Sequence, residues 1–294
     1  MNKWKSGGIA EWVEGDTAFI SSVFSWNVQK AYMLCNYYKS LGYKVRAGGQ
    51  TVQMNKELFG DFDTSGEVNA LVYHNPDATF TSRGCMRKCS FCMVPKLEGK
   101  LRELDEWEVK PIICDNNLLA CSVAHFDKVI DRFVESGLKG IDFNQGLDAR
   151  ILTEHHAKRF KELPKDTNIR LAWDNIATEK LFMSAFDKLV SAGIRPQQIR
   201  CYVLIGYKDT PEDALYRLKK VRELGALPNP ARYQPLDALK RNSYVDPNWT
   251  NDLLTKYMRY WYNLRITGAF SFEEYRRTEK INRVDESQTS FFET

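Results

Sequence analysis

Apolar positions along the chain follow two periods, and their alternation predicts most of the elements. Short β-rich runs begin near Pro111 (PIICD), Gly140 (GIDFN), Ile169 (IRLAW), Arg200 (RCYVLI) and Ala231 (ARYQP), with starts 29, 29, 31 and 31 residues apart. That spacing suits one strand–helix–strand unit. Between the runs, Phe126, Val129, Ile130, Phe133 and Val134 form a helical stripe that stops before Gly137. Leu181, Phe182, Ala185, Phe186, Leu189 and Val190 form a second stripe, closed by Gly193. A third helix opens with Thr210 as N-cap and Pro211 in its first turn, and closes at Gly225. Strands alternating with helices imply a parallel sheet whose site lies at the C-terminal strand ends. Adding Ala78–Ser82 gives six such strands, too few for a closed eight-stranded barrel. The expected fold is therefore α/β, a partial (β/α)6 TIM-like barrel.

Both flanks of that array differ from it. Thr17–Ser22 reads as a strand, Asn27–Leu41 as a helix and Lys44–Ala47 as another strand, so residues 1–72 are expected to form a small α/β unit. The barrel core is expected over 73–240, and a helical C-terminal extension over 241–294. That extension carries Trp249, Tyr257, Tyr260, Trp261 and Tyr262, and its last dozen residues, RVDESQTSFFET, are predicted to fray.

Composition narrows the class. Apolar residues make up 43% and charged residues 27%, enough for a sizeable core and no reason to expect disorder. A net charge of +4 is mildly basic and compatible with a nucleic-acid partner. No run of eighteen apolar residues occurs, and the start, MNKWKSGGIAEWVEGD, lacks the apolar stretch of a signal peptide. A cytoplasmic protein with no membrane partner is expected. Seven cysteines, an odd count without an export signal, argue against a disulfide framework.

Three of the seven are clustered. Cys85-Met-Arg-Lys-Cys89-Ser-Phe-Cys92 has CxxxCxxC spacing, and thiolates this close can share one metal centre on a loop. Structural zinc needs four ligands and usually draws them as two separated pairs. No second pair follows here, and His74 and His125 are distant in sequence. A four-iron four-sulfur cluster normally takes four cysteines, so three with no obvious fourth leave one iron open. Arg83, Arg87 and Lys88 flank the thiolates and favour ionised sulfur and an anionic cluster.

The CxxxCxxC loop, with an aromatic before its last cysteine and a βα array behind it, resembles the radical S-adenosylmethionine (SAM) superfamily over roughly residues 75–240. The resemblance implies a 4Fe-4S cluster on Cys85, Cys89 and Cys92, with SAM chelated at the open iron. It implies reductive cleavage of SAM to a 5′-deoxyadenosyl radical that removes hydrogen from a substrate. It also implies an electron donor such as flavodoxin or ferredoxin. By position, Asp115, Asn116 and Asn117 stand where the family carries its amino-binding motif. Gln145, Asp148 and Arg150 follow the third strand, where ribose and carboxylate contacts are common, and Trp173 ends the fourth. Gly206 lies in a segment like the one that packs on adenine, Phe91 would offer backbone groups to the adenine edge, and Gln234 closes the sixth strand. Each has a plainer role available: a turn for the Asp-Asn-Asn run, a surface pair for Asp148 and Arg150, core packing for Trp173 and Gly206.

The N-terminal unit occupies the place of a cobalamin-binding domain in several groups of that superfamily. It lacks the Asp-x-His-x-x-Gly signature, and no histidine precedes His74. A degenerate domain without cobalamin is expected. Cys35, Cys114, Cys121 and Cys201 have no compact ligand spacing, so no second cluster is expected either.

The substrate is less marked. Thr81–Arg102 holds six basic residues and one acid, Glu98, while 240–280 holds eight basic and five acidic residues among aromatics. Positive charge beside aromatic faces suits a nucleic-acid base or nucleotide. Basic residues that merely balance an anionic cluster would look the same. A peptide or small metabolite is the alternative substrate. A non-catalytic iron–sulfur or zinc module that binds nucleic acid is the alternative class.

Overall fold

The computed structural model describes residues 4–66, 68–269 and 271–277. The frayed segment expected at RVDESQTSFFET lies outside them. The chain is α/β and, over its described residues, divides into two compact units: 4–78 with 234–244, and 79–233 with 245–277. The division falls inside a short strand at Ala78–Thr79, and the aromatic C-terminal helices share a unit with the strand array.

In the first unit, β1 (Ile9–Glu14) and β2 (Thr17–Ser22) pair antiparallel, and β3 (Lys44–Gly48) pairs parallel with β2. The 13-residue helix α1 (Val28–Ser40) makes the crossover. Ala18, Ile20, Val45 and Ala47 face Val28, Ala31 and Cys35 in one small core, completed by Val52, Phe59 and Phe62. Cys35 is fully buried there, and burial pushes its thiol up to about 12. Two short helices, α2 (Gln50–Met54) and α3 (Leu71–His74), follow. β1 was not anticipated from the sequence. Its IAEWVE run puts charge at both faces' edges and reads as loop until paired with β2.

The second unit starts with β4 (Ala78–Thr79), β5 (Ser82–Arg83), the one-turn α4 (Val94–Leu97) and β6 (Arg102–Glu103). Then come β7 (Ile112–Ile113), α5 (Val123–Ser136), β8 (Asp142–Phe143), β9 (Leu147–Asp148) and α6 (Glu154–Phe160). β10 (Ile169–Ala172), α7 (Glu179–Ser191), β11 (Ile199–Ile205), α8 (Pro211–Glu223) and β12 (Leu227–Arg232) complete the alternation. Helices α9 (Asn251–Tyr262), α10 (Leu264–Ala269) and α11 (Phe272–Arg277) end the described chain. No helix among the described residues is long and apolar enough to cross a membrane.

The strands lie in sequence order. One sheet runs β4-β7-β8 and another β9-β10-β11-β12, and a parallel bridge from Asp142 to Asn168 links β8 to the start of β10. β7 pairs parallel with β8, and the pairs β9–β10, β10–β11 and β11–β12 are parallel too. β8 and β9 are the two halves of the single strand expected at Gly140. They are parted at Gly146, where a Cβ would meet the Ala172 Cβ at 3.0 Å.

Helix ends follow local chemistry. Ser122 and Thr210 accept from the third backbone N–H of α5 and α8, and Gly137 ends α5 with φ 63°. The strands alternate: Ile199, Cys201, Val203 and Ile205 are buried, whereas Arg200, Tyr202 and Leu204 are half-buried on the other face. β12 begins four residues before the expected Ala231. The added residues include Pro228 and Pro230; among the described residues β12 pairs on one side only, and an edge strand tolerates proline. The Tyr262 hydroxyl of α9 donates to the Pro230 carbonyl at 2.6 Å.

The aromatic stretch is packing material. Trp249, Tyr257, Tyr260 and Trp261 are all buried, with Phe272 edge-on against Tyr257 and Tyr260 and Tyr275 tilted against Tyr260. They are therefore not the exposed faces that base stacking would require.

Candidate functional site

The three clustered cysteines lie on the excursion between β5 and β6, whose antiparallel pairing of Ser82 with Glu103 and Arg83 with Arg102 closes its base. The entry is tight. Gly84 has φ +74°, and a Cβ there would stand 2.3 Å from the Lys100 carbonyl oxygen. Only glycine fits such a crossing. Glu98 secures the same point: its Oε2 accepts from the Gly84 N–H at 3.1 Å, pairs with Arg83 Nε at 3.1 Å and accepts from Asn116 Nδ2 at 2.7 Å. Within the loop the Arg87 N–H lies 3.3 Å from Cys85 Sγ, and the Cys92 N–H donates to the Cys89 carbonyl at 3.0 Å. All three thiols are half-buried. Burial raises the Cys92 thiol, as do Cys89 and Cys85 beside it, against a backbone hydrogen bond at Val94 that lowers it.

Four strand ends meet this loop. After β7, three consecutive polar residues diverge. Asp115 is buried and accepts from the Thr81 N–H at 2.6 Å, from the Thr81 hydroxyl and from Ser82 Oγ at 2.9 Å. Burial raises its carboxyl, although these bonds oppose the shift. Its oxygens are thus spent on tying β7 to the strand that leads into the loop. Asn116 is held by Glu98. Asn117 is 4% exposed, its Nδ2 is 3.6 Å from Cys85 Sγ, and among the described residues its buried Oδ1 has no hydrogen-bond partner. A buried amide oxygen left without a donor is costly and asks for a ligand that supplies one.

At the end of β9, Asp148 accepts from Arg150 Nε at 2.6 Å, Arg150 Nη2 at 2.9 Å, the Arg150 N–H at 3.1 Å and Arg87 Nε at 2.9 Å. Burial would raise this carboxyl, but Arg150 and then Arg87 outweigh it and hold it low. With both oxygens occupied, Asp148 positions two guanidinium groups. Arg87 belongs to the cysteine loop, and Arg150 Nη2 reaches to 3.9 Å from Cys89 Sγ. Gln145, on the turn before β9, is exposed.

Beyond β10, Trp173 is fully buried, stacked on Phe182 at 4.5 Å, with its Nε1 donating to the Asn175 carbonyl. That leaves no face for a cofactor, and the residue sits as a core aromatic. Asp174, next along, shares the strand face of Arg170 and Ala172 and is half-buried. Burial pushes its carboxyl up to about 6, with Arg150 and Arg217 lowering it and Asp148 raising it.

After β11, Gly206 (φ +76°) is packed against Leu254, where a Cβ would come within 2.9 Å of Cδ2. Tyr207 donates to Ser90 Oγ at 2.9 Å, and its ring meets Phe91 edge-on at 5.7 Å and Tyr233 at 4.4 Å. Gln234 belongs to the other unit. There its amide closes a loop, donating to the Lys240 carbonyl and accepting from the Asn242 N–H.

Glu98 and Tyr207 are the site residues that sequence reasoning did not place at the site, and no local pattern marks either; Asp174 follows Trp173 at the end of the fourth strand, where the sequence put it. His125 lies 3.3 Å from the Thr81 hydroxyl and His74 2.9 Å from Ser21, each serving its own unit. Among the described residues, no three His, Cys, Asp or Glu side chains gather closely enough to hold one metal ion. Neither a protein-family model nor a curated protein matches the chain.

Proposed function

We propose that the chain is a radical SAM enzyme, with Cys85, Cys89 and Cys92 holding a 4Fe-4S cluster. One observation carries the proposal: the polar ends of four successive strand units converge on one CxxxCxxC loop, and among them Asn117 stands beside Cys85 with a buried Oδ1 that no donor among the described residues meets. A non-catalytic binding module has no use for such convergence. Six strand positions in sequence order, parallel and linked by helical crossovers from β7 onward, support a partial (β/α)6 barrel with this loop at the strand ends.

The donor set suits the group. The thiols are half-buried, two guanidinium groups held by Asp148 offset the charge of an anionic cluster, and thiolates on separate irons need not crowd one point as zinc ligands must. When bound, the cluster supplies the electron that splits the SAM sulfonium and yields a 5′-deoxyadenosyl radical. The chain's own residues do the rest. Asn117 Oδ1 accepts from the methionine ammonium, and Arg150, one-third exposed and close to Cys89, meets the carboxylate. Asp174 offers a carboxyl that exchanges a proton near neutrality at the same strand ends.

The test is anaerobic reconstitution with iron and sulfide, then dithionite and SAM, with mass spectrometry for 5′-deoxyadenosine. Wild type is expected to form it, and Cys→Ala at 85, 89 or 92 to lose it together with visible absorbance. Protein that holds one tight zinc, no iron, and cleaves no SAM would refute the proposal.

A further inference from the structure

The fold sorts the basic residues of the cysteine loop into two groups. Arg83 pairs with Glu98 and Arg87 pairs with Asp148, so these two are turned into the protein, while the exposed Arg102 donates to the Glu98 carbonyl. Lys88, Lys96 and Lys100 are exposed, and among the described residues none of their ammonium groups has a carboxylate partner. The inward arginines are engaged by carboxylates of the fold, whereas these lysines face solvent. They stand at the loop itself: Lys88 between Arg87 and Cys89, and Lys100 where its carbonyl crosses Gly84 beside Cys85. A fourth, Lys208, is exposed with its Nζ 5.4 Å from the Tyr207 ring centroid, and φ +50° at this non-glycine residue is held by its N–H on Asp246.

The same rim carries rings. Phe91, Tyr207 and Tyr233 are half-buried, Tyr207 touches both of the others, and its hydroxyl fastens it to the loop at Ser90. Unpaired ammonium groups beside partly open aromatic faces match a phosphate backbone with a base turned out of its stack. An acidic protein would use the lysines but not the rings.

We infer that the rim made by Lys88, Lys100, Lys208, Phe91, Tyr207 and Tyr233 binds single-stranded nucleic acid and presents an unpaired nucleotide to the cysteine loop. The lysines hold the backbone, and the Tyr207 and Phe91 rings receive the base. The inference rests on the proposed radical chemistry only for what is then done to that nucleotide.

Binding is tested on the full reconstituted chain by fluorescence anisotropy with labelled mixed-sequence single-stranded RNA and the matching DNA, from about 50 to 200 mM salt. At least one strand is expected to bind. Each lysine on a phosphate adds ~0.7 to the slope of log affinity against log salt, so Lys88→Ala/Lys208→Ala should lower it by about 1.4. Lys158→Ala/Lys180→Ala, which removes equal charge from exposed positions on α6 and α7, should leave the slope alone. Tyr207→Ala should weaken binding about tenfold, whereas Tyr207→Phe, which keeps the ring, should bind like wild type. Iron content and melting temperature of each variant identify a folding defect. No binding of either strand, equal slopes for the two lysine pairs, or capture of an acidic ferredoxin in place of nucleic acid would overturn the inference. Binding without 5′-deoxyadenosine would refute the radical chemistry and spare the rim. 5′-Deoxyadenosine without binding would do the reverse.

Discussion

Asp148→Asn tests how the cysteine loop is held. The carboxylate is 7% exposed and takes four donors from Arg87 and Arg150, whose side chains are 33% and 34% exposed. Asparagine keeps the shape but removes the charge, and its NH2 group must face a guanidinium donor. A charge-assisted bond contributes about 1.5–3 kcal/mol. Solvent reaching the arginines recovers part of that, so the Arg87 attachment should weaken by about 2 kcal/mol. That corresponds to roughly a thirtyfold lower ratio of docked to undocked loop. Hydrogen exchange reads this directly: amides of residues 84–93 should exchange roughly thirtyfold faster, while those of β11 are unchanged. Arg87→Met should have a similar effect, and the double variant should add little to either single one. Unchanged loop exchange in Asp148→Asn, or strictly additive effects in the pair, would show that this ion pair does not dock the loop.

Further outcomes are expected at other positions. Asn117→Ala should keep iron content and melting temperature, because among the described residues its Oδ1 has no partner and its Nδ2 makes only a long 3.6 Å contact with Cys85 Sγ, yet weaken SAM binding ten- to a hundredfold by calorimetry. Asp115→Asn should instead lower the melting temperature, since it loosens Thr81 and Ser82. Gly84→Ala should cost more than about 1 kcal/mol in denaturant unfolding, given its left-handed backbone and the Lys100 carbonyl in its path. His74 is held down to about 4 by burial and then by Lys5, so the unfolded chain takes up a proton that the folded one refuses. Stability should therefore fall as pH drops from about 6.5 to 4, by up to about 3 kcal/mol, and His74→Gln should flatten that slope in melts across the range. Protein made without cobalamin should match supplemented protein in SAM cleavage; stoichiometric corrinoid retained through purification would contradict this.

Much of the fold was legible because its signals are local. Thr210 and Gly137 mark helix ends through their own backbone chemistry, and the stripes of α5 and α7 need only their own periodicity. The start of β12 is harder to read, because Pro228 and Pro230 are tolerated only since the strand lies at an edge, and edge position is a property of the sheet, not of the local sequence. The site was legible only in its cysteines. Asp115, Asn116 and Asn117 look alike in sequence, yet they turn to Thr81, Glu98 and Cys85, partners 34, 18 and 32 residues away. Which of three adjacent polar side chains is left with an unmet bond depends on where the chain leaves its strand. No local pattern encodes that. The C-terminal aromatics misled for the converse reason: Trp249, Tyr257 and Tyr260 have the composition of a stacking surface but are covered by α11 and one another.

β12 also settles how the array ends. The Tyr233 N–H donates back to Ile205, so the odd-numbered residues of this stretch bond inward and Pro228 and Pro230 face the open side. A newcomer strand would find two donors missing there and the Pro230 carbonyl already taken by Tyr262. The edge is therefore chemically mute, and a crowded solution of the protein has no template along it for runaway sheet growth. A Pro228→Val/Pro230→Val chain with Tyr262→Phe would regain that template, and with it a concentration-dependent tendency to form fibrils.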